Sequence, residues 1–309
     1  MTSNTHHSLS DSNTHFSYYF ILAGFFIAGL FISQFISILV LSFFYEGDVS
    51  KVISVLEVFS PNTESRYRLM FMQGINSIGA FIISPLLYLY LAEKKSFSSL
   101  LIRFQGYPAA LFITFLVTLV LMPFNALMLE WNQIKMPDFL ADFEQSAMAQ
   151  EKLLEKITIF ITTFDNFGQF LVGLLVIAII PAIGEEVLFR GIIQKKLMNT
   201  INPHVAIWLT AFFFSAVHFQ FYGILPRMIL GALFGYLFWF SGNLWWAILS
   251  HFFNNATTLL LVYLYRQKIT QFDIEAQTSV PLIFALISLV FTLLLMWLFK
   301  RLLATPKAL

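Results

Sequence analysis

The sequence predicts an all-α, polytopic transmembrane bundle of about eight spans, with a polar catalytic cavity formed by its C-terminal core helices. Three observations carry that expectation. Of 309 residues, 58% are hydrophobic and only 11% charged, with a mean hydropathy of +0.77, which no ordinary soluble domain shows. Apolar runs of about 18 residues or more recur along the chain, each long enough as a helix to cross about 30 Å of hydrocarbon. Two adjacent glutamates, Glu185 and Glu186, stand inside such a run rather than between runs.

Taken in order, residues 1–15 are polar and carry no Lys or Arg. They lack the basic start of a signal peptide and read as a tail ahead of a retained first span. His6 and His7 fit that tail better than a metal site. Spans are expected at 16–44, 67–91 and 108–129. Between 131 and 166, Phe139, Leu140, Phe143, Leu153, Leu154, Ile157 and Ile161 recur at helical spacing among acids, lysines and glutamines. That pattern suits an amphipathic connector lying at the membrane surface. A fourth span starts at Phe167 and runs through PAIGEEVLFRG, Pro181 to Gly191. Four more are expected at 203–221, 226–240, 244–265 and 280–303. Pro203 and Pro226 suit first turns, where a missing N–H costs nothing extra, and Gly242-Asn243 suits a tight turn.

The chain thus divides into a tail (1–15), N-terminal spans with the connector (16–166), a core (167–265) and a last span with its tail (266–309). The absence of cysteine excludes disulfides and a thiol nucleophile. A formal charge of +1 offers nothing to nucleic acid, so the expected partners are the bilayer and a membrane-associated peptide or protein. Lys94, Lys95, Lys195, Lys196, Lys300 and Arg301 fall on one side of an eight-span model, which favours both termini in the cytoplasm.

Glu185 and Glu186 are the acids that this span assignment leaves inside hydrocarbon. Each ionised acid there costs roughly 2.5–3.5 kcal/mol on insertion scales, and such residues mark ion paths, proton paths or catalytic sites. Glu186 and Arg190 are four apart and share a helix face. Glu185 is rotated by about 100° and points elsewhere. One glutamate is therefore expected to be held by arginine and the other left free for chemistry. His218 in AFFFSAVHF, and His251 with Asn255 in ILSHFFNNA, also stand in apolar helices of the C-terminal half. Singly, each suits interhelical hydrogen bonding. Together with the glutamates they are most cheaply accommodated by converging on one hydrated cavity.

These residues resemble the CPBP intramembrane protease family, which includes CAAX prenyl endopeptidases and bacteriocin-processing or immunity proteins. The motifs read E185-E186-V-L-F-R190, F214-S-A-V-H218 and H251-F-F-N-N255, on successive helices and in order. Gly191, Gly231, Gly235 and the Gly242-Asn243 turn also look like the family. The resemblance covers about 167–265. It implies a multi-pass membrane endopeptidase, in the plasma membrane of a bacterium, that cuts near the end of a membrane-associated polypeptide. By position, Glu185 and His218 would activate a water, His251 and Asn255 would stabilise the oxyanion, and Glu186 with Arg190 would support Glu185. The cofactor stays open: one divalent metal such as zinc, on Glu185, His218 and His251, or none. Two rivals stay open as well, a non-catalytic immunity or scaffold protein on the same fold and a cation- or proton-coupled transporter.

Overall fold

The computed structural model describes residues 6–52, 63–96, 100, 107–133, 137–273 and 279–304. Among these there is no strand; the architecture is a bundle of helices. α1 (His6–Phe43) begins inside the stretch expected to be a tail. α2 (Glu64–Leu91) contains a π-helical segment at Ile78–Ile83, and α3 (Pro108–Trp131) follows. α4 (Ala141–Thr162) is the connector. α5 (Phe167–Met198) contains π-helical segments at Leu174–Ile179 and Val187–Gln194. α6 (Pro203–Ala216), α7 (Ile224–Ser241), α8 (Leu244–Arg266) and α9 (Leu282–Ala304) complete the order.

Among the described residues, seven helices are long and apolar enough to cross a membrane. The expected fifth span is not one of them. α6 has 14 residues, about 21 Å of helix at 1.5 Å per residue, short of the hydrocarbon thickness. It stops at Ala216 because the chain turns there. The His218 N–H donates to Ser215 O (3.2 Å), the Phe219 N–H to Ala216 O (3.1 Å), and Phe219 takes the left-handed conformation with φ +53°. A bulky residue in that region is a conformational outlier. His218 therefore sits on a turn, not within a helix.

Helix starts follow local side-chain chemistry. Asn166, Asn202 and Asn243 cap α5, α6 and α8 by accepting from the N–H groups of Gln169, His204 and Trp245. Pro203 is in the first turn of α6, and Gly242, at φ +62°, ends α7. Large apolar side chains such as Phe20 and Phe31 on α1, and Phe284 and Leu293 on α9, are exposed, as suits lipid-facing surfaces.

Small residues bring the N-terminal helices close. A Cβ on Gly79 of α2 would lie 2.4 Å from Ser33 Cβ on α1, and one on Gly184 of α5 would lie 2.8 Å from Phe81 Cβ on α2. Such contacts are how helices associate where the solvent is as apolar as the side chains. The connector is pinned at its C-terminal end by Arg66 of α2. This buried guanidinium donates to Phe160 O (3.0 Å), Asp165 Oδ2 (2.9 Å) and Gln169 Oε1 (3.1 Å).

Candidate active site

Glu185 and Glu186 lie in the middle of α5, directly before the π-helical segment Val187–Gln194 that carries Arg190. π-helical turns are rare and recur at functional sites. Glu186 and Arg190 are both fully buried and paired, with Arg190 Nη1 2.8 Å from Glu186 Oε1. The other end of the guanidinium donates to Gly231 O of α7 at 2.7 Å. Its plane lies over the ring of Phe214, 4.6 Å from the centroid, a favourable place for a cation. Only glycine lets α7 come this close: a Cβ at Gly231 would lie 3.1 Å from both Ala211 Cα and Phe214 Cδ1. One turn on, Gln194 repeats the contact by donating to Gly235 O at 2.9 Å.

The same oxygen of Glu186 receives a second donor. His251 Nδ1 lies 2.9 Å from Glu186 Oε1, and a carboxylate can only accept, so Nδ1 carries the proton. The imidazole is stacked on Phe234 at 4.9 Å and 14° and meets Phe214 edge-on. On α8, Ser250 is tied to Thr118 of α3 by a buried hydroxyl pair at 2.7 Å, which fixes the neighbouring residue's register. Glu186 with Arg190 therefore supports His251, where the sequence led us to expect it to support Glu185. The reason is geometric. Rotation along α5 points Glu186 at α7 and α8, and Glu185 at the turn after α6.

His218 Nδ1 donates to Phe214 O at 2.8 Å, since a carbonyl only accepts. Its Nε2 faces Glu185 Oε2 at 4.0 Å, and His251 Nε2 faces the same oxygen at 4.0 Å. That oxygen is buried and, among the described residues, has no hydrogen-bond partner. Glu185, His218 and His251 thus converge on one point, each with a lone pair turned inward. Asn255 does not join them: its Nδ2 donates to Ile177 O on α5 at 3.2 Å, and its Oδ1 accepts from Asn254.

Residues 167–257 match the family model described as type II CAAX prenyl endopeptidase Rce1-like. This segment is similar to Rce1-like domains. No curated protein and no solved structure matches the chain. The matched segment begins at the first residue of α5 and ends just past Asn255, so it contains all six candidate residues. Its kind of function is that of a CAAX-type protease in a multi-pass membrane protein.

For a metal, the donors have the right chemistry but not the spacing. Each imidazole fixes its Nδ1–H on an oxygen and leaves Nε2 free, as zinc-binding histidines do. Adjacent ligand atoms around a tetrahedral zinc, with bonds near 2.0–2.1 Å, are about 3.4 Å apart. The 4.0 Å separations exceed this, and among the described residues no three His, Asp or Glu side chains are placed to hold an ion.

Sequence reasoning missed the acceptors Gly231 O and Gly235 O and the stacking ring of Phe234. The spacing held a signal. Arg190 and Gln194 are four apart on α5, and so are Gly231 and Gly235 on α7, which is the pattern of two helices in register.

Proposed function

We propose that this chain is an intramembrane endopeptidase that hydrolyses a peptide bond near the end of a membrane-associated, CAAX-type polypeptide through a water activated by Glu185. The observation that carries the reading is the buried, unpartnered Glu185 Oε2 facing Nε2 of His218 and of His251 at 4.0 Å. That distance is too long for a direct hydrogen bond and suits a single water bridging two acceptors.

The steps balance with these groups alone. Water held against Glu185 and His218 gives its proton to the Glu185 carboxylate as its oxygen attacks the scissile carbonyl carbon. Charge develops on the carbonyl oxygen. His251, its proton held at Nδ1 by Glu186, offers its Nε2 lone pair to the newly protonated Glu185 and keeps that proton in place for the leaving nitrogen. Glu185 then passes its proton to the leaving nitrogen. The new carboxyl gains the hydroxyl, and the amine gains the hydrogen. Asn255 supplies a donor to the carbonyl oxygen once its amide leaves Ile177 O.

The test uses an internally quenched peptide with a CAAX-type end, farnesylated and unfarnesylated, in detergent micelles with and without chelator. Glu185→Gln and His218→Ala are expected to lower kcat by at least 10²-fold, with wild-type activity unchanged by chelator. Cleavage lost to chelator and restored by zinc would overturn the metal-free mechanism. Equal activity in wild type and both variants would overturn catalysis at this site, and no cleavage by any of the three would leave the scaffold reading.

A further inference from the structure

The connector α4 contains a carboxylate that its amphipathic pattern does not explain. An acid on a helix at the membrane surface gains most by facing water. Glu151 instead has a buried Oε2 with no hydrogen-bond partner among the described residues, while its Oε1 accepts from Gln220 Nε2 at 3.1 Å. Gln220 Oε1 in turn accepts from Arg227 Nη2 on α7. The amide is thus polarised from both ends: its nitrogen donates to an anion and its oxygen accepts from a cation. Among the described residues Arg227 makes no direct ion pair. Gln220 is two residues after His218.

We propose that Glu151 is a positioning residue for His218, acting from the connector helix through the Gln220 amide and Arg227. The turn it holds has few internal supports. Phe219 is in the left-handed region, which the surrounding structure must impose. The imidazole of His218 has one hydrogen bond, to the last turn of α6. What fixes the turn comes from elsewhere in the chain. Arg227 Nη1 reaches Gln220 O at 3.4 Å, and its guanidinium fills the place of a Gly223 side chain, whose Cβ would lie 2.2 Å from Nη1. Asn132 Nδ2 donates to Phe221 O at 2.7 Å, and Phe143 packs edge-on against Phe221 at 5.6 Å. α4 thus braces the turn at Gln220 and Phe221, with its own far end pinned by Arg66. A displacement of about 1 Å at a catalytic group can cost on the order of 10²-fold in rate, so a brace at this distance acts on His218 without touching substrate.

This inference rests on the proteolytic reading, and its test separates the two. Hydrogen exchange of the full-length protein in micelles is read on peptides spanning 217–224, with α8 peptides as the folded reference. Glu151→Ala is expected to speed exchange of the turn amides at least tenfold while α8 stays protected. Gln220→Ala cuts the same tie from the other side and is expected to do likewise. Glu151→Gln keeps an oxygen acceptor for Gln220 and is expected to stay within threefold of wild type. On the farnesylated CAAX-type peptide, Glu151→Ala should lower kcat tenfold or more with KM within threefold, and Glu151→Gln should restore it. Turn exchange within twofold of wild type in both alanine variants would overturn the proposal. So would Glu151→Gln behaving as Glu151→Ala. If the alanine variants loosen the turn but Glu185→Gln still cleaves, the brace stands and the proteolytic reading fails.

Discussion

Glu186 Oε1 accepts from Arg190 and from His251 at once, with both members of the ion pair fully buried. Removing one partner from such a pair leaves an uncompensated charge, which costs about 3–5 kcal/mol. Arg190→Leu is therefore expected to lose that much stability, seen as a lower midpoint of thermal unfolding in micelles and a poor folded yield. Glu186→Gln asks a different question. The amide keeps the volume, but on flipping it donates to His251 Nδ1 and moves the imidazole proton to Nε2. The expected result is a folded protein with kcat reduced on the order of 10²- to 10⁴-fold, by analogy with the wrong-tautomer effect in catalytic triads. Activity within threefold of wild type would remove His251 from the chemistry. At this scale the sequence was partly legible. Four-residue spacing was enough to pair Glu186 with Arg190. It was not enough to show that His251 shares the oxygen, because a contact between α5 and α8 depends on packing that no local pattern encodes.

The helices were legible wherever hydrophobicity alone decides them, and α6 shows where it does not. FFFSAVHFQF stays apolar past Ala216, so composition gives no reason to stop. The helix ends through backbone turning at Val217–Phe219, stabilised by contacts from α4 and α7. α3 shows a related effect at Pro123. Ser288 of α9 places its hydroxyl into the neighbouring ladder, donating to Val120 O and accepting from the Phe124 N–H at 3.3 Å. A kinked helix in lipid needs such help to satisfy its backbone. Ser288→Ala removes both bonds and is expected to cost about 0.5–1.5 kcal/mol, measured against wild type by thermal unfolding. Where α2 and α5 end, Glu93 meets Lys196 at 2.6 Å and Lys95 at 2.7 Å. Burial works against its charged form, yet hydrogen bonds from Lys196 and Lys95 hold the carboxyl down at about 2, against an ordinary 4.5. A depressed carboxyl contributes stability that is present above the unfolded value and lost as pH falls through the folded one. The stability difference between wild type and Glu93→Gln should therefore be full at pH 7, shrink below pH 4.5 and be nearly gone at pH 2. A constant difference across that window would show that Glu93 acts by packing and not by charge.

For the whole molecule, the Rce1-like match stops at the start of α5, while the packing that positions the site does not. Phe81 of α2 lies against Gly184, one residue before Glu185, and α2 is itself set by the close contact of Gly79 with Ser33 on α1. The N-terminal helices read in the sequence only as hydrophobic spans, because small residues at a helix seam look like any other tolerated glycine or serine. Their consequence is physical. A Cβ at Gly184 would lie 2.8 Å from Phe81 Cβ and 3.2 Å from the Phe81 carbonyl carbon, and backbone offers no flexible end to move aside. Either α2 or the Glu185 turn of α5 must shift. α2 is locked on its far side by α1, so the displacement falls on Glu185. Gly184→Ala should therefore lower kcat by about tenfold or more, with little effect on KM. It should also lower stability by about 1–3 kcal/mol, as overpacking does. Phe81→Gly in the same chain removes the clashing Cβ but not the backbone contact, so it should restore activity only in part. Full activity in Gly184→Ala would mean that the seam yields elsewhere and that the N-terminal helices do not set the position of Glu185.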